Sequence, residues 1–372
     1  MMTNLANSAA LPPAVQRRRF SAGAAILLFF AAGLAQTLLA YVLFSRADDH
    51  GYFLELANLG IDIIPLSGHA LMDLKAQAAG MGYYILTAPA RWLGGNELVH
   101  LLWLRLLTLW GFLAAFSWFR EVLEPGLSKS ELSARRSAFM ILVLLYPGQI
   151  AWTASLLRDG VGTAMFLLGL YCLRRDWRLV PAMILFAVAF SMRPEYLIIL
   201  ILIIGALLGH RMLRGVTARI PALLALLLIV AVLSHPVQVQ SALFGQLAFG
   251  DGGFAYPLVA HAFDINGYLQ VLLQSLIDPV QLASPWTAPA FAIMDAAFFL
   301  YLLWRGRLLL RSRNTLVAAL TAGLILGLWL FGYFEIFVGG FSRHRLCLEI
   351  ALIALIAVVG RNKILLDNRH EN

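Results

Sequence analysis

Asp48, Asp49 and His50 follow the first long apolar run, Ala22–Phe44, with Tyr52 close behind. Two adjacent carboxylates and an imidazole thus stand where an apolar segment ends. A carboxylate there can take a proton from an attacking hydroxyl if it is ionised and within reach. The pair therefore reads as a general base, as ligands for a divalent metal, or as the solvated end of a helix. Other charged pairs recur at similar junctions. Arg158–Asp159 stands between two apolar runs, and Arg193 and Glu195 flank Pro194 one hairpin later. Glu335 closes another run, and Arg343–His344–Arg345 follows Gly339–Gly340. Ionisable groups at such places are costly to bury and tend to be functional. The alternatives are local ion pairs and lipid-phosphate anchors. Arginine suits a phosphate because its planar fork donates paired hydrogen bonds.

The chain that must position these groups is 61% hydrophobic and 13% charged, with a mean hydropathy of +0.80. Soluble domains hold about 45–50% apolar and about 25% charged residues. The composition predicts an all-α, polytopic transmembrane helical bundle. A net charge of +8 invites a nucleic-acid reading. The arginines, however, cluster in short turns between apolar runs, as topology signals do. Cys172 and Cys347 both lie in apolar runs and are expected to be packing residues. No glycine-rich nucleotide loop, metal-ligand spacing or Ser-His-Asp order is present. A transferase working on the outer side would then need a lipid-linked donor.

The expected spans are Ala22–Phe44, Glu97–Phe119, Ser137–Thr153, Gly160–Cys172, Leu179–Ser191, Leu197–Leu208, Ile220–Ser234, Trp286–Trp304, Thr315–Phe334 and Leu346–Gly360. Tyr52–Leu59 and Ala70–Ala79 have the pattern of interfacial helices in the first outer loop, residues 45–96. Met81–Trp92 is short and interrupted by Pro89, and is expected not to cross. With about ten spans, the basic turns fall on the cytoplasmic side. The charged groups that topology does not explain, among them Asp48, Asp49, Arg158, Asp159, Arg193, Glu195, Glu335, Arg343, His344 and Arg345, fall outside. A second outer loop covers residues 235–285. Residues 1–21 and 361–372 are expected to be cytoplasmic tails around a membrane domain of residues 22–360.

Asp48–Asp49–His50–Gly51–Tyr52 resembles the Asp-Glu-x-x-Tyr motif of the GT-C class of integral-membrane glycosyltransferases. That class includes protein mannosyltransferases and lipid A aminoarabinose transferases. Here aspartate replaces the glutamate. Gly82–Tyr83–Tyr84 through Trp92–Leu93–Gly94, then Asn96–Arg105, resemble the juxtamembrane helix and the span after it. The next basic turn and the run into Tyr146–Pro147 also resemble the family, as do Asp159 and an arginine before the final helix. The Lys/Pro-Pro signature of many members is missing before Gly82, and no soluble C-terminal domain is expected.

The resemblance implies a polyprenyl-phosphate sugar donor and a glycan or lipid acceptor at the outside of a bacterial inner membrane. It implies Asp48 as general base with Asp49 second. Donor phosphate would meet Arg343, Arg158 or Arg345. Tyr52, Asp159, Arg193, Glu195, Glu335 and His344 would line the pocket. No organic cofactor is expected, and a divalent metal is compatible with the acidic pair. Two other readings are a Wzy-like polysaccharide polymerase and a non-enzymatic lipid or glycan transporter. The first would need outer-loop arginines, and Ser234–Pro285 contains no Arg or Lys. The second would need charges and broken helices at mid-span.

The basic-residue asymmetry is tested by single cysteines at Ser128 and Gly252. They are expected to label from opposite sides of the membrane. Labelling of both from outside would overturn the ten-span topology.

Overall fold

The computed structural model describes residues 22–43, 50–60, 62, 64, 70–152, 156, 158–173, 178–193, 196–212, 288–312, 314–334 and 345–360. Among these residues the fold is all-helical, with no strand. The helices are α1 (Ala22–Leu43), α2 (His50–Leu59), α3 (Ala70–Leu86), α4 (Ala88–Trp92), α5 (Glu97–Leu123), α6 (Lys129–Leu145) and α7 (Pro147–Trp152). They continue as α8 (Arg158–Leu173), α9 (Leu179–Met192), α10 (Tyr196–Met212), α11 (Ala288–Leu310), α12 (Thr315–Phe334) and α13 (Leu346–Val359). The expected span Ile220–Ser234, the loop 235–285 and both tails lie outside the described residues.

Helices α1 and α5 are long and apolar enough to cross a membrane by length and composition. α8, α9, α10, α12 and α13 contain shorter apolar stretches. At 1.5 Å per residue, the fourteen residues of α9 rise only about 21 Å.

Local chemistry sets several boundaries. Asn96 caps α5, its side chain accepting from the Val99 amide at 2.9 Å. Ser128 and Glu131 form a reciprocal capping box at α6. The Ser128 hydroxyl and then its backbone amide hold the Glu131 carboxyl below the usual carboxylate range. The single run expected over Ser137–Thr153 is instead two helices, α6 and α7. Pro147 has no N–H to give the Val143 carbonyl, so the ladder ends at Tyr146. A second correction concerns Ala70–Ala79 and Met81–Trp92. The helix runs unbroken through residue 80 to Leu86. It ends at Thr87, whose hydroxyl donates back to the Tyr83 carbonyl at 2.9 Å. Pro89 then sits in the first turn of α4, where its missing N–H costs nothing.

The centre of the bundle is α13, whose fourteen residues are all buried. It packs against α5, α6, α8, α11 and α12. A helix with no exposed face can be apolar all round, and Leu346–Val359 is, save for Glu349. Arg135 of α6 donates to the Val358 carbonyl and closes the C-terminus of α13. α5 and α8 also approach closely. A Cβ on Gly111 would lie 2.5 Å from the Ala164 Cα.

Gly111→Val forces those two backbones apart. Overpacking of this kind costs about 1–3 kcal/mol. The thermal midpoint in detergent is expected to fall. Gly51→Ala is the control, because a Cβ there meets nothing within 4 Å. Its midpoint is expected to stay or rise. A tolerated Gly111→Val would contradict this packing.

Candidate functional site

Two clusters of charge sit at one end of the bundle, and a third polar cluster lies deeper. The first forms where α13 begins. Arg345 is 0% exposed, and its Nη2 donates to Oδ2 of Asp295 on α11. Its Nε lies 3.2 Å from Oε1 of Glu349, one turn on in α13. Its guanidinium stands over the Phe299 ring, 4.8 Å from the centroid. Glu349 accepts from the Tyr146 hydroxyl at the end of α6. The Tyr146 ring stacks on Phe298 at 5.3 Å. Gly148 leaves space for this arrangement, since a Cβ there would lie 2.7 Å from Asp295 Oδ1 and 2.8 Å from the Tyr146 oxygen. Two carboxylates thus flank one guanidinium, and a phenol holds one of them, all shielded from solvent. Such a set locks α6, α11 and α13 together, because removing any member strands the others without water.

The second cluster joins α8, α9 and α10. Arg193, which ends α9, donates from Nε to Asp159 Oδ1 at 2.7 Å, with Nη2 at 2.6 Å from the same oxygen. Asp159 therefore has a partner from the next hairpin, beyond any local pairing with Arg158. The Tyr196 hydroxyl, at the start of α10, donates to the Asp159 carbonyl at 3.2 Å and lies 3.0 Å from the Thr163 hydroxyl.

The start of α2 joins the same end. His50 Nδ1 accepts from the Leu156 amide, just ahead of α8, at 2.8 Å. His50 Nε2 lies 3.2 Å from Oε1 of Glu97, which opens α5. Tyr41, near the end of α1, donates to Glu97 Oε2 at 3.4 Å.

Arg105 forms the deeper cluster, beneath this end. It is 2% exposed and donates to three neutral oxygens: Gly33 O at 3.4 Å, Gln36 Oε1 at 3.3 Å and Gln149 Oε1. The two glutamines in turn donate to Leu144 O at 2.6 Å and Val143 O at 3.0 Å. These are the carbonyls at the interrupted end of α6. The negative end of that helix therefore faces the cation through two amide relays.

Of the residues singled out in the sequence, Asp159, Arg193 and Arg345 are buried and charge-paired, and Tyr52 is an exposed residue of α2. Arg158 is the first residue of α8. Asp48, Asp49, Glu195, Glu335, Arg343 and His344 lie outside the described residues. Sequence reasoning missed Asp295 and Glu349. The signal was present, since each is a lone acidic residue inside an apolar run, Ile293–Ala296 and Leu348–Ile350. It also passed over Glu97 and the two glutamines, whose partners are distant in sequence. Among the described residues, no three His, Cys, Asp or Glu side chains converge as a metal site would require. Comparison with protein-family models, with curated proteins and with solved structures finds no match to this chain.

Breaking the first cluster distinguishes it from a surface ion pair. Asp295→Ala leaves Arg345 short of a partner, and a buried pair broken on one side costs about 3–5 kcal/mol. Arg120 pairs with Glu121 at a more exposed position. Arg120→Ala is expected to cost about 0–1 kcal/mol. Unfolding midpoints in detergent check the difference. Equal effects would contradict the anchoring role of Arg345.

Proposed function

We propose that the chain is a membrane glycosyltransferase of GT-C type. It moves a sugar from a polyprenyl-phosphate donor to a lipid-linked or glycan acceptor on the outer face of a bacterial inner membrane. The bundle has about ten spans, with interfacial helices in the first outer loop. Asp48 acts as general base and Asp49 adjoins it. Arg343 and Arg158 bind the donor phosphate. Arg345 holds the start of α13 in place behind them. Tyr52, Asp159, Arg193, Glu195, Glu335 and His344 line the substrate pocket.

The observation that carries this reading is the gathering of helix ends. Contacts at His50, Glu97, Leu156, Asp159, Arg193, Tyr196, Arg345 and Glu349 join the ends that alternating topology assigns to the outside. Contacts from Arg135 to Val358 and from His210 to Thr315, the latter at 2.8 Å, join ends assigned to the cytoplasm. Among the described residues, His50 and Glu97 are thereby joined to Leu156 just ahead of α8, and Asp159 to Arg193.

The chemistry follows from charge. The base takes the acceptor proton as the acceptor oxygen bonds to the sugar anomeric carbon. The bond from that carbon to the phosphate oxygen breaks, and polyprenyl phosphate leaves. A phosphodiester carries one negative charge, and a second develops as the sugar departs. A fixed guanidinium is more favourable in the later state, which is where catalysis gains.

A second reading is a carrier for a lipid or glycan. The observation that favours it is the burial of Arg105, Asp295 and Glu349 inside the bundle. A carrier would move substrate without consuming it.

Asp48→Asn keeps the shape and removes the base. Turnover is expected to fall by about 10²–10⁴ with far less change in donor binding. Arg343→Ala and Arg343→Lys are both expected to lose transfer, because lysine keeps the charge but not the fork. Transfer rates in membranes with matched expression check both. Wild-type turnover in Asp48→Asn would remove that residue from the mechanism.

A further inference from the structure

We propose that the exposed face of α11 is a docking surface for an anionic phospholipid of the cytoplasmic leaflet. The lipid phosphate meets Arg307 and Arg311, and the acyl chains lie along the apolar stripe that precedes them. The assignment rests on the reading of α11 as a membrane span and is independent of the transfer chemistry.

The two faces of α11 are set by its sequence. Asp295, Phe299, Leu302 and Leu309 fall on one side of the helix and are buried. Ile293, Ala297, Leu300, Trp304 and Arg307 recur every three or four residues on the opposite side and are exposed. Ile293 is 69% exposed, Leu300 61% and Trp304 56%. Arg311 continues this stripe, exposed in the turn just past the helix, where its amide donates to the Leu308 carbonyl at 3.3 Å. In chain order the face is therefore apolar, then aromatic, then basic.

Its dimensions match one leaflet. From Ile293 to Trp304 the helix rises about 16 Å. Half of a bilayer's hydrocarbon core is about 15 Å thick. Tryptophan favours the interface where that core ends. Arg307 and Arg311 lie about 5 and about 10 Å further on. Side chains on a helix tilt toward its N-terminus, which here is back toward the headgroups.

The charge at this end has one sign. Arg305 stands beside Trp304, its guanidinium 5.8 Å from the ring centroid and its Nε buried without a hydrogen-bond partner. Among the described residues, Arg305, Arg307 and Arg311 have no acidic partner. α10 and α12, which meet here through His210 and Thr315, carry no carboxylate, and Asp295 is paired with Arg345. The C-terminal dipole of α11 is equivalent to about half a negative charge, which offsets less than one arginine. A phosphate supplies the rest, and it suits the guanidinium fork.

The full chain is reconstituted in vesicles of phosphatidylcholine, alone or with phosphatidylglycerol in equal parts. Ile293→Cys is expected to resist a water-soluble maleimide, measured over the wild-type background. Lipid retained through a neutral detergent is then counted by native mass spectrometry. Wild type is expected to keep phosphatidylglycerol in preference to phosphatidylcholine. Replacing both arginines, Arg307→Gln with Arg311→Gln, is expected to weaken that retention about 30-fold, at about fivefold for each arginine near the surface. Both positions are exposed, and thermal midpoints in phosphatidylcholine are first matched with wild type. Arg120→Gln, at the same side of the bundle but paired with Glu121, is expected to leave retention unchanged. Excess inorganic phosphate is expected not to displace the lipid. Displacement would mark a free-phosphate site and overturn the lipid assignment. Equal retention of the two lipids by wild type, no loss in the double variant, or an equal loss in Arg120→Gln would overturn it too. Full labelling of Ile293→Cys would instead overturn the span reading on which the assignment rests.

Discussion

Arg345 is a guanidinium with no access to water, and the arrangement of the bundle depends on how it is satisfied. Taking such a charge out of water costs several kcal/mol unless opposite charges and hydrogen bonds replace the solvent. Asp295 and Glu349 supply those charges, and Tyr146 satisfies Glu349 in turn. Each comes from a different place in the chain: the end of α6, the first third of α11 and the first turn of α13. The three helices must therefore meet at one level. That constraint places α13 at the centre, where its remaining residues can all be apolar.

The break between α6 and α7 serves the same end. Pro147 interrupts the hydrogen-bond ladder just where Tyr146 must turn toward Glu349. The Leu144 and Val143 carbonyls at this break accept from Gln36 and Gln149, whose own oxygens accept from Arg105. A defect in one helix thus becomes the counterpart of a buried cation in another. Arg193 and Asp159 repeat the principle on a smaller scale, closing α8 onto α9 where α10 begins. Arg345, Asp159 and Arg193 stand at helix ends, whereas Arg105 and Asp295 lie inside α5 and α11.

Much of the fold was legible in the sequence because apolar runs announce helices. As a helix, Thr315–Phe334 has the bounds expected of that run, and most other helices differ by a few residues at the ends. The exceptions have specific physical causes. Pro147 split one run, and a backbone that stayed helical through residue 80 joined two others. The candidate site was less legible. Arg193 and Asp159 stood out, but their partnership crosses a hairpin that no spacing rule specifies. Asp295 and Glu349 were less legible because they lie within apolar runs rather than at their ends. Gln36 and Gln149 carry no signal at all until their neighbours are known.

Whether this architecture performs transfer or transport is decided by one experiment. The purified protein is placed in sealed liposomes with a polyprenyl-phosphate sugar and no ion or substrate gradient. If the bundle is a transferase, donor is consumed and free polyprenyl phosphate accumulates in proportion to protein, given an acceptor hydroxyl on the outer side. If the donor instead crosses the bilayer intact, with no polyprenyl phosphate released under any acceptor supplied, the transferase account is contradicted. The buried charges would then belong to a carrier.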